Sequence, residues 1–392
     1  MITPGARSLG SGVCLHLAGT HFTRTLVIAC GFANSLSLSA CPFCTAVAPS
    51  LSQQRATADV VALAEVVDAA SPPRFRLHRV VEGAELLADQ ASLAAEVDAA
   101  VKPGELVLLF GDKQPGALRW TATPVNETSA AYFFRAPVIR ESEVERLKYF
   151  APFLEHPDPT IAEDAYREFG HAQFDSVAKI IDRLPSDQVR KWLLSDRVPQ
   201  ARKGFYGLVL GLAQDRQERL ANAQLLKKRI LANDDDFRAG FDGLLGGYLM
   251  LTGEDGLKLI EERFLANPDA RVGDLRHAIT ALRFYHEYGR EIPVERLRTA
   301  LASLLARPEM SEAVITDLAR WQGWEHCDRI VGLYEQPAFS ASEIRRAIVG
   351  YLRACPSPEA TRHLSRLRAL DPDGVAAAEE VLRKLGGTRD ER

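Results

Sequence analysis

The sequence predicts a multidomain protein with α and β parts: a small β-barrel-like domain followed by an all-α solenoid of stacked helix pairs. Three observations lead to this fold class. Strand-like apolar runs lie between residues 58 and 139, breaks rich in proline and aspartate recur after residue 141, and an uncharged apolar run precedes Cys41. We therefore divide the 392 residues into a leader (1–40), a β-rich domain (41–140) and a helical domain (141–392).

The composition is that of a soluble globular protein and argues against one class of partner. Hydrophobic residues make up 46% of the chain, charged residues 26%, and the formal net charge is −4. Residues 1–140 carry 11 basic and 11 acidic side chains, and the remainder carries 37 and 41. Neither part has the basic excess that neutralises phosphates, so we expect no nucleic-acid partner.

The first 40 residues have the pattern of an export signal. Arg24 is followed by the uncharged apolar run Thr25–Ala33, two small residues precede Cys41, and the first acidic residue is Asp59. The apolar run is shorter than the roughly 20 residues that span a bilayer. We therefore expect an exported protein of the periplasm, the cell envelope or the extracellular space.

The Cys-Pro-Phe-Cys sequence at Cys41–Cys44 leaves alternatives open. Leu38–Cys41 resembles a bacterial lipobox, in which the thiol of Cys41 is acylated; alternatively, Cys41 and Cys44 form a structural disulfide. The motif also resembles the glutaredoxin active site, which gives a thiol–disulfide oxidoreductase as the alternative function. The flanking sequence favours lipidation or a disulfide, because glutaredoxins place the motif between a strand and a helix.

A second cysteine pair, Cys327 and Cys355, lies in predicted helices, 28 positions apart. These residues are either buried thiols or a bridge between adjacent helices, because a disulfide requires Cα atoms within about 7 Å of each other.

In the β-rich domain we predict five strands and one helix. The strands are Ala58–Val67, Arg74–Val81, Gly104–Gly111, Leu118–Thr123 and Tyr132–Ile139. Residues 84–101 are rich in Ala, Leu and Glu, which favour a helix.

Two of these segments, Asp59–Val61 and Val80–Gly83, match strand signatures of netrin-like and TIMP-like OB-type barrels. The domain resembles that family, which implies a small barrel. Members pair their leading cysteines with later ones, whereas residues 45–140 contain no cysteine. The resemblance therefore implies no inhibitory function.

Breaks in the helical domain recur at regular distances. They are marked by Asp158, Asp196, Asp234, Asp269, Glu309 and Asp371. The first four gaps are 38, 38, 35 and 40 residues, and the last, of 62, contains a further break at Pro337. This period resembles that of HEAT repeats, which implies an α-solenoid whose helix pairs bury their apolar faces against their neighbours.

Several residues of the helical domain are of types found in functional sites, but their spacing does not match that of a known site. His277 and His286 share one side of a predicted helix but lack a third metal ligand. Four glycines have no phosphate-loop spacing and predict close contact between helices: Gly240, Gly243, Gly246 and Gly247. Three tryptophans are predicted to fill spaces between helices: Trp192, Trp321 and Trp324. We expect no catalytic residue, no metal and no cofactor.

From Cys41 to about Leu385 the chain resembles a family of exported bacterial proteins with an N-terminal CPFC motif, a small β domain and helical repeats. The matching residues are Cys41–Cys44, His156–Asp158, Asp164–Tyr166 and Ala281–Phe284. The resemblance implies this architecture and no activity. We expect a non-enzymatic interaction or scaffold protein of the cell envelope, which binds a protein or envelope component through its helical-repeat surface. Membrane contact is expected only through a lipid on Cys41.

Overall fold

A computed structural model describes residues 48–87, 91–232 and 238–387. Its N-terminal part is a curled, five-stranded antiparallel half-barrel sheet, and many helices follow. The strands are β1 (Val60–Asp68), β2 (Arg74–Glu82), β3 (Ser92–Ala94), β4 (Leu106–Gln114) and β5 (Ala117–Val125). Their order in the sheet is β3-β2-β1-β4-β5. The mixed α and β class predicted from the sequence is confirmed.

Both faces of the central strand β1 are covered, which explains its continuous apolar sequence. Val60, Ala64 and Val66 face one hydrophobic cluster together with Phe75 and Trp120. Residues on the other face pack against two helices, α1 (Leu51–Thr57) and α2 (Glu127–Arg135). The sheet therefore packs against a hydrophobic cluster on each of its two faces.

Two predictions for this part are wrong. Within 84–101, the residues that the structure describes (84–87 and 91–101) form no α-helix; they contain a short 3-10 turn, Ala84–Leu87, and the edge strand β3. The predicted strand Tyr132–Ile139 is instead the end of α2 and a segment without regular structure. Asn126 caps α2 by accepting hydrogen bonds from the backbone of Thr128 and Ser129, and this capping favours the helix.

The remaining helices follow in sequence. They are α3 (Glu143–Phe150), α4 (Pro159–His171), α5 (Phe174–Ala178), α6 (Ser186–Leu194), α7 (Gln200–Gly211), α8 (Arg216–Leu231), α9 (Phe241–Thr252), α10 (Glu254–Ile260), α11 (Val272–Tyr288), α12 (Val294–Ala302), α13 (Pro308–Arg320), α14 (Cys327–Val331), α15 (Ser342–Ala354), α16 (Pro358–Leu370) and α17 (Pro372–Gly387). None of the helices described is long and apolar enough to cross a membrane.

Alternate helices pack in a row. α7 contacts α9, α9 contacts α11, and the series continues through α13 and α15 to α17. Intervening helices lie beside this row, with α6 and α8 against α7 and with α16 against α15 and α17. One hydrophobic cluster runs through the whole set, from Tyr132 to Ala378.

The closest contact in the row is made by glycines. Three glycines of α7 (204, 207 and 211) meet their counterparts 36 positions later, which begin at the N-cap of α9 (240, 243 and 247). A β-carbon on Gly211 would lie 2.6 Å from the Cα atom of Gly247, and one on Gly243 would overlap the carbonyl oxygen of Gly204. The predicted close contact between helices is thus confirmed for Gly240, Gly243 and Gly247.

The short helix α5, which precedes the row, contacts α11 of the row. Phe174 on the short helix α5 packs edge-on against Phe284 of α11, with ring centroids 5.0 Å apart, and lies 4.4 Å from the ring of Tyr288. These partners are more than 100 positions away in the sequence. The aromatic side chain of Phe174 thereby joins α5 to α11.

Candidate functional site

The most distinctive local structure is the loop Glu155–Asp158, which joins the end of the α3 region to α4 and separates two grooves. This loop contains the His156–Asp158 break noted in the sequence. We call it the 155–158 loop.

Glu155 has a backbone φ of 55°, in the left-handed region that residues with a β-carbon avoid. Its carboxylate oxygen Oε1 accepts hydrogen bonds from Arg202 (3.1 Å) and from the hydroxyl of Tyr206 (2.7 Å). Both donors belong to α7. The strained conformation of Glu155 is therefore held in place by side chains of α7.

Arg202 is the centre of this anchor. Its side chain is 9% exposed, pairs with Glu163 of α4 as well as with Glu155, and lies over the ring of Tyr166 at 5.2 Å. Burial alone would lower the pKa of Arg202, but the hydrogen bonds that it donates to the carboxylates of Glu163 and Glu155, together with their negative charges, outweigh burial and raise the pKa. The guanidinium therefore stays charged and ties the loop to both α4 and α7.

His156 and Asp158 fix the rest of the loop. The backbone N–H of Asp158 donates to Nδ1 of His156 (3.1 Å), so the neutral ring carries its proton on Nε2. The Asp158 carboxylate caps α4 by accepting from the backbone of Thr160 and Ile161, and it accepts a hydrogen bond from Asn126 (2.6 Å). Because Asn126 caps α2, the starts of α2 and α4 are held together.

Two grooves flank the loop, and His156 lines both. The first, which we call the aromatic groove, has a volume of about 340 Å³ and lies among α2, α3 and α4; its walls include Tyr132, Tyr149 and Phe153. The second, the proline groove, has a volume of about 540 Å³ and lies beside α6. Its lining is Ala151, Pro152, Leu154, Glu155, His156, Pro157, Arg183, Pro185, Asp187, Gln188 and Trp192.

The proline groove is mainly a hydrophobic surface with a charged rim. The ring of Trp192 is fixed against Tyr206 of α7, at 5.3 Å between centroids. Asp187 at the rim is exposed over 67% of its side chain, and Arg183 over 58%. Rigid aromatic and proline surfaces with a few polar groups at the edge are typical of sites that bind protein segments.

A buried polar network lies behind the aromatic groove. Asp164 accepts hydrogen bonds from the backbone N–H of Leu51 (2.6 Å) and from the hydroxyl of Tyr132 (2.8 Å). Glu168, one turn later, accepts from the hydroxyl of Ser50 (2.6 Å) and pairs with Arg146. The network thus joins the start of α1 to α4.

Burial alters the acidity of this network. Desolvation raises the pKa of Asp164 from 3.8 to about 6, although the donors Leu51 and Tyr132 work in the opposite direction. Burial and the neighbouring Asp164 also raise the pKa of Tyr132, so its hydroxyl remains a proton donor. Because Asp164 and Glu168 are 3% and 2% exposed, we assign them a role in holding the chain.

Further contacts bind the residues that precede α1 to the C-terminal half of α4. Arg167 donates to the carbonyl of Pro49 (3.4 Å), and Nε2 of His171 is 3.1 Å from the carbonyl oxygen of Ala48. Four successive residues, 48 to 51, are therefore bound along one helix. Cys41 and Cys44 themselves lie outside the described residues, so their lipidation, their pairing and the redox alternative stay predictions.

The two histidines, Trp321 and Trp324 lie apart from the loop, whereas Trp192 lines the proline groove beside it. His277 contacts Asp242 (3.5 Å), and His286 stacks on Trp321 with centroids 4.4 Å apart. Trp324 packs edge-on against Tyr351 of α15, so all three tryptophans contact rings on other segments, as predicted. Within the parts of the chain that the structure covers, no group of three or more His, Cys, Asp or Glu is placed to hold a metal.

Sequence reasoning missed the anchor formed by Glu155, Arg202 and Tyr206. The break at His156–Asp158 was visible, but the left-handed backbone of Glu155 has no signature in its residue type. The 36-residue repetition that places an arginine two positions before Gly204 and before Gly240 could have drawn attention to Arg202. Comparison with family models, curated proteins and solved structures finds no match to this chain.

Proposed function

We propose that this protein is an exported, non-enzymatic scaffold of the cell envelope that binds another protein through its helical-repeat surface, at the proline groove. We further propose that its helices form a HEAT-like solenoid and that its sheet is an OB-like, netrin-related half-barrel. The observation that carries the binding function is the 155–158 loop, whose strained backbone is held rigid beside an open groove.

The packing of alternate helices supports the solenoid. Each helix of the row meets the helix two positions later, and the glycines of α7 and α9 repeat after 36 positions, within the range of the predicted period. The contact of Phe174 with α11 adds a link between helices that are distant in the sequence. Repeat proteins bind partners across surfaces of this kind because each repeat adds to a continuous face.

The rigidity of the groove supports binding. Arg202 fixes Glu155 and Tyr206 fixes Trp192, so little conformational freedom remains to be lost when a partner arrives. The partner that fits is a protein segment with an apolar side chain for Trp192 and polar groups for Asp187 and Arg183.

The experiment is site-specific photocrosslinking in cells. A photoreactive residue replaces Gln188 in the groove or, as the control, Arg362 on α16, which is exposed over 74% of its side chain. The crosslinked protein is identified by mass spectrometry, purified and titrated against the wild type, Trp192→Ala and Asp187→Arg. We expect saturable binding that each variant weakens about tenfold or more, which corresponds to about 1.4 kcal/mol.

Equal crosslinking at both positions, or unchanged affinity in both groove variants, would show that the groove is not the binding surface. Asp187→Arg keeps the test decisive if Trp192→Ala fails to fold, because Asp187 is exposed. The intact mass of the mature N-terminus tests export separately. Cleavage before Cys41 supports it, and an acyl group on Cys41 would exclude the redox alternative.

A further inference from the structure

Two cysteines far from the 155–158 loop come together in the C-terminal part of the row. Cys327 is the first residue of α14 and Cys355 follows the last residue of α15, and these two helices pack against each other. Both side chains are free thiols and both are buried, at 8% and 6% exposure. The sequence left a bridge between them open, and the packing brings them side by side.

The surroundings of the two thiols are ordered. The hydroxyl of Tyr351 donates to the carbonyl of Gly323 (2.6 Å), and its ring packs against Trp324 at 5.2 Å between centroids. Tyr351 interacts with both cysteines. α15 is thus fixed to the segment that carries Cys327, so a bond between the two sulfur atoms would join elements that are already in contact.

The two thiols also differ. Cys355 lies 3.5 Å from the hydroxyl of Ser357, the residue that caps α16. Burial, followed by a contact with the thiol of Cys355, raises the pKa of Cys327 to about 11. Cys327 is therefore a poor nucleophile at neutral pH. Because Cys355 lies beside the N-cap of α16, we expect disulfide exchange to begin there.

We propose that Cys327 and Cys355 are a redox site, which forms a reversible intrachain disulfide by exchange with an external disulfide. The Cys355 thiolate attacks the external disulfide and releases one thiolate. Cys327, as its thiolate, then attacks the mixed disulfide at the sulfur of Cys355 and releases the second. The protein loses two electrons and two protons, and the external disulfide becomes two thiols.

The inference goes beyond the proposed binding function, because it concerns neither the groove nor a partner protein. Its consequence is local. The disulfide would close the chain between α14 and the end of α15, and it would stabilise this end of the row chiefly by restricting the unfolded chain.

The test uses the full chain with the other four cysteines replaced by serine: Cys14, Cys30, Cys41 and Cys44. The folded protein is incubated with oxidised glutathione, alkylated and digested with trypsin. Cleavage at arginine places the two cysteines on separate peptides, Trp321–Arg329 and Ala354–Arg362. We expect a linked pair of these peptides with two hydrogens fewer than their summed mass, in a chain that stays monomeric.

The same reaction in denaturant and in the Cys355→Ser variant provides the controls. We expect at least about tenfold more linked product from the folded than from the denatured chain, and an increase in the urea midpoint of unfolding upon oxidation. Cys355→Ser should show neither change. Recovery of two alkylated peptides, of separate glutathione adducts on each cysteine, or of linked dimers from the folded protein would overturn the inference.

Discussion

A β-carbon on Gly204 would lie 2.7 Å from the Cα atom of Gly240, because α7 and the start of α9 meet backbone to backbone. Real β-carbons do not approach other atoms so closely. Glycine is therefore required by packing on both sides of this contact, and the requirement repeats at the next two turns. The relationship makes the contact testable by the smallest available substitution.

Gly243→Ala should destabilise the protein by about 3 kcal/mol, the upper end of the range for overpacking, because the added methyl group meets the carbonyl of Gly204 and the backbones must separate. Urea denaturation measures the change. The matched control is Gly273→Ala in α11, where a β-carbon meets no atom within 4 Å. Since alanine favours helix, this control should be neutral or more stable by up to about 1 kcal/mol. Equal effects at the two sites would contradict the packing described.

The contribution of Asp164 to the stability of the fold should decrease as the pH rises from 4 to 6. Its pKa is about 6 in the folded protein and 3.8 ordinarily, so within this interval the folded state holds a proton that the unfolded state has lost. The stabilisation is present below pH 4 and is lost as the pH passes 6, with a limit of about 3 kcal/mol.

Asp164→Asn removes this titration and can still bond to Leu51 or Tyr132. The difference in unfolding free energy between wild type and variant should therefore shift in the variant's favour from pH 4 to pH 6, and denaturant titrations at several pH values measure it. Asp175→Asn, which removes an exposed carboxylate from α5, is the control. A difference for Asp164→Asn no larger than for the control would refute the assignment.

At Glu155 the glycine variant should be more stable than the alanine variant, which is the reverse of the usual order of stability. Both substitutions remove the carboxylate that binds Arg202, so their difference reports the backbone alone. At a φ of 55° alanine retains the left-handed strain and glycine does not, so Glu155→Gly should be more stable than Glu155→Ala by about 1 kcal/mol. At Lys228, exposed within α8, the alanine variant should instead be the more stable of the pair by about 1 kcal/mol. The same order at both positions would argue against the loop geometry.

Phe174→Ala tests whether the contact between α5 and α11 stabilises both helices. The ring fills the space between α5 and α11, and its removal should cost about 3 to 5 kcal/mol. Hydrogen exchange should increase in both helices although they are distant in sequence. Leu370→Ala removes an exposed apolar side chain and should change stability by less than about 0.5 kcal/mol. If exchange rises in α5 alone, the two helices do not depend on each other.

Four strands could be predicted because their residues alternate or form apolar runs, and the structure keeps these periodicities. The helix predicted over 84–101 is wrong because the alternation of apolar residues in this segment favours an extended chain more strongly than its content of Ala, Leu and Glu favours a helix. Leu93, Ala95, Val97, Ala99 and Val101 alternate strictly, and all five pack against the same face of the sheet. The alternation was the better signal, since only an extended chain places such residues on one side.

The candidate site was predictable only in part. The break at His156–Asp158 follows from residue types, but the sequence suggests Thr160 as the cap of the next helix, whereas the structure has Asp158 as the N-cap and Pro159 as the first helical residue. The anchor by Arg202 joins residues 47 positions apart in the sequence. Such a pairing depends on how α4 and α7 lie side by side, which local patterns do not determine.

The attachment of residues 48–51 along α4 has a consequence for orientation. An extended chain advances at most about 3.6 Å per residue, so the seven steps from Cys41 to Ala48 reach no farther than about 25 Å. Ala48 is held beside His171, at the C-terminal end of α4. A lipid on Cys41 would thus be joined to Ala48 by a segment no longer than about 25 Å. The C-terminal end of α4, which carries His171, would then stay within that distance of the lipid headgroups.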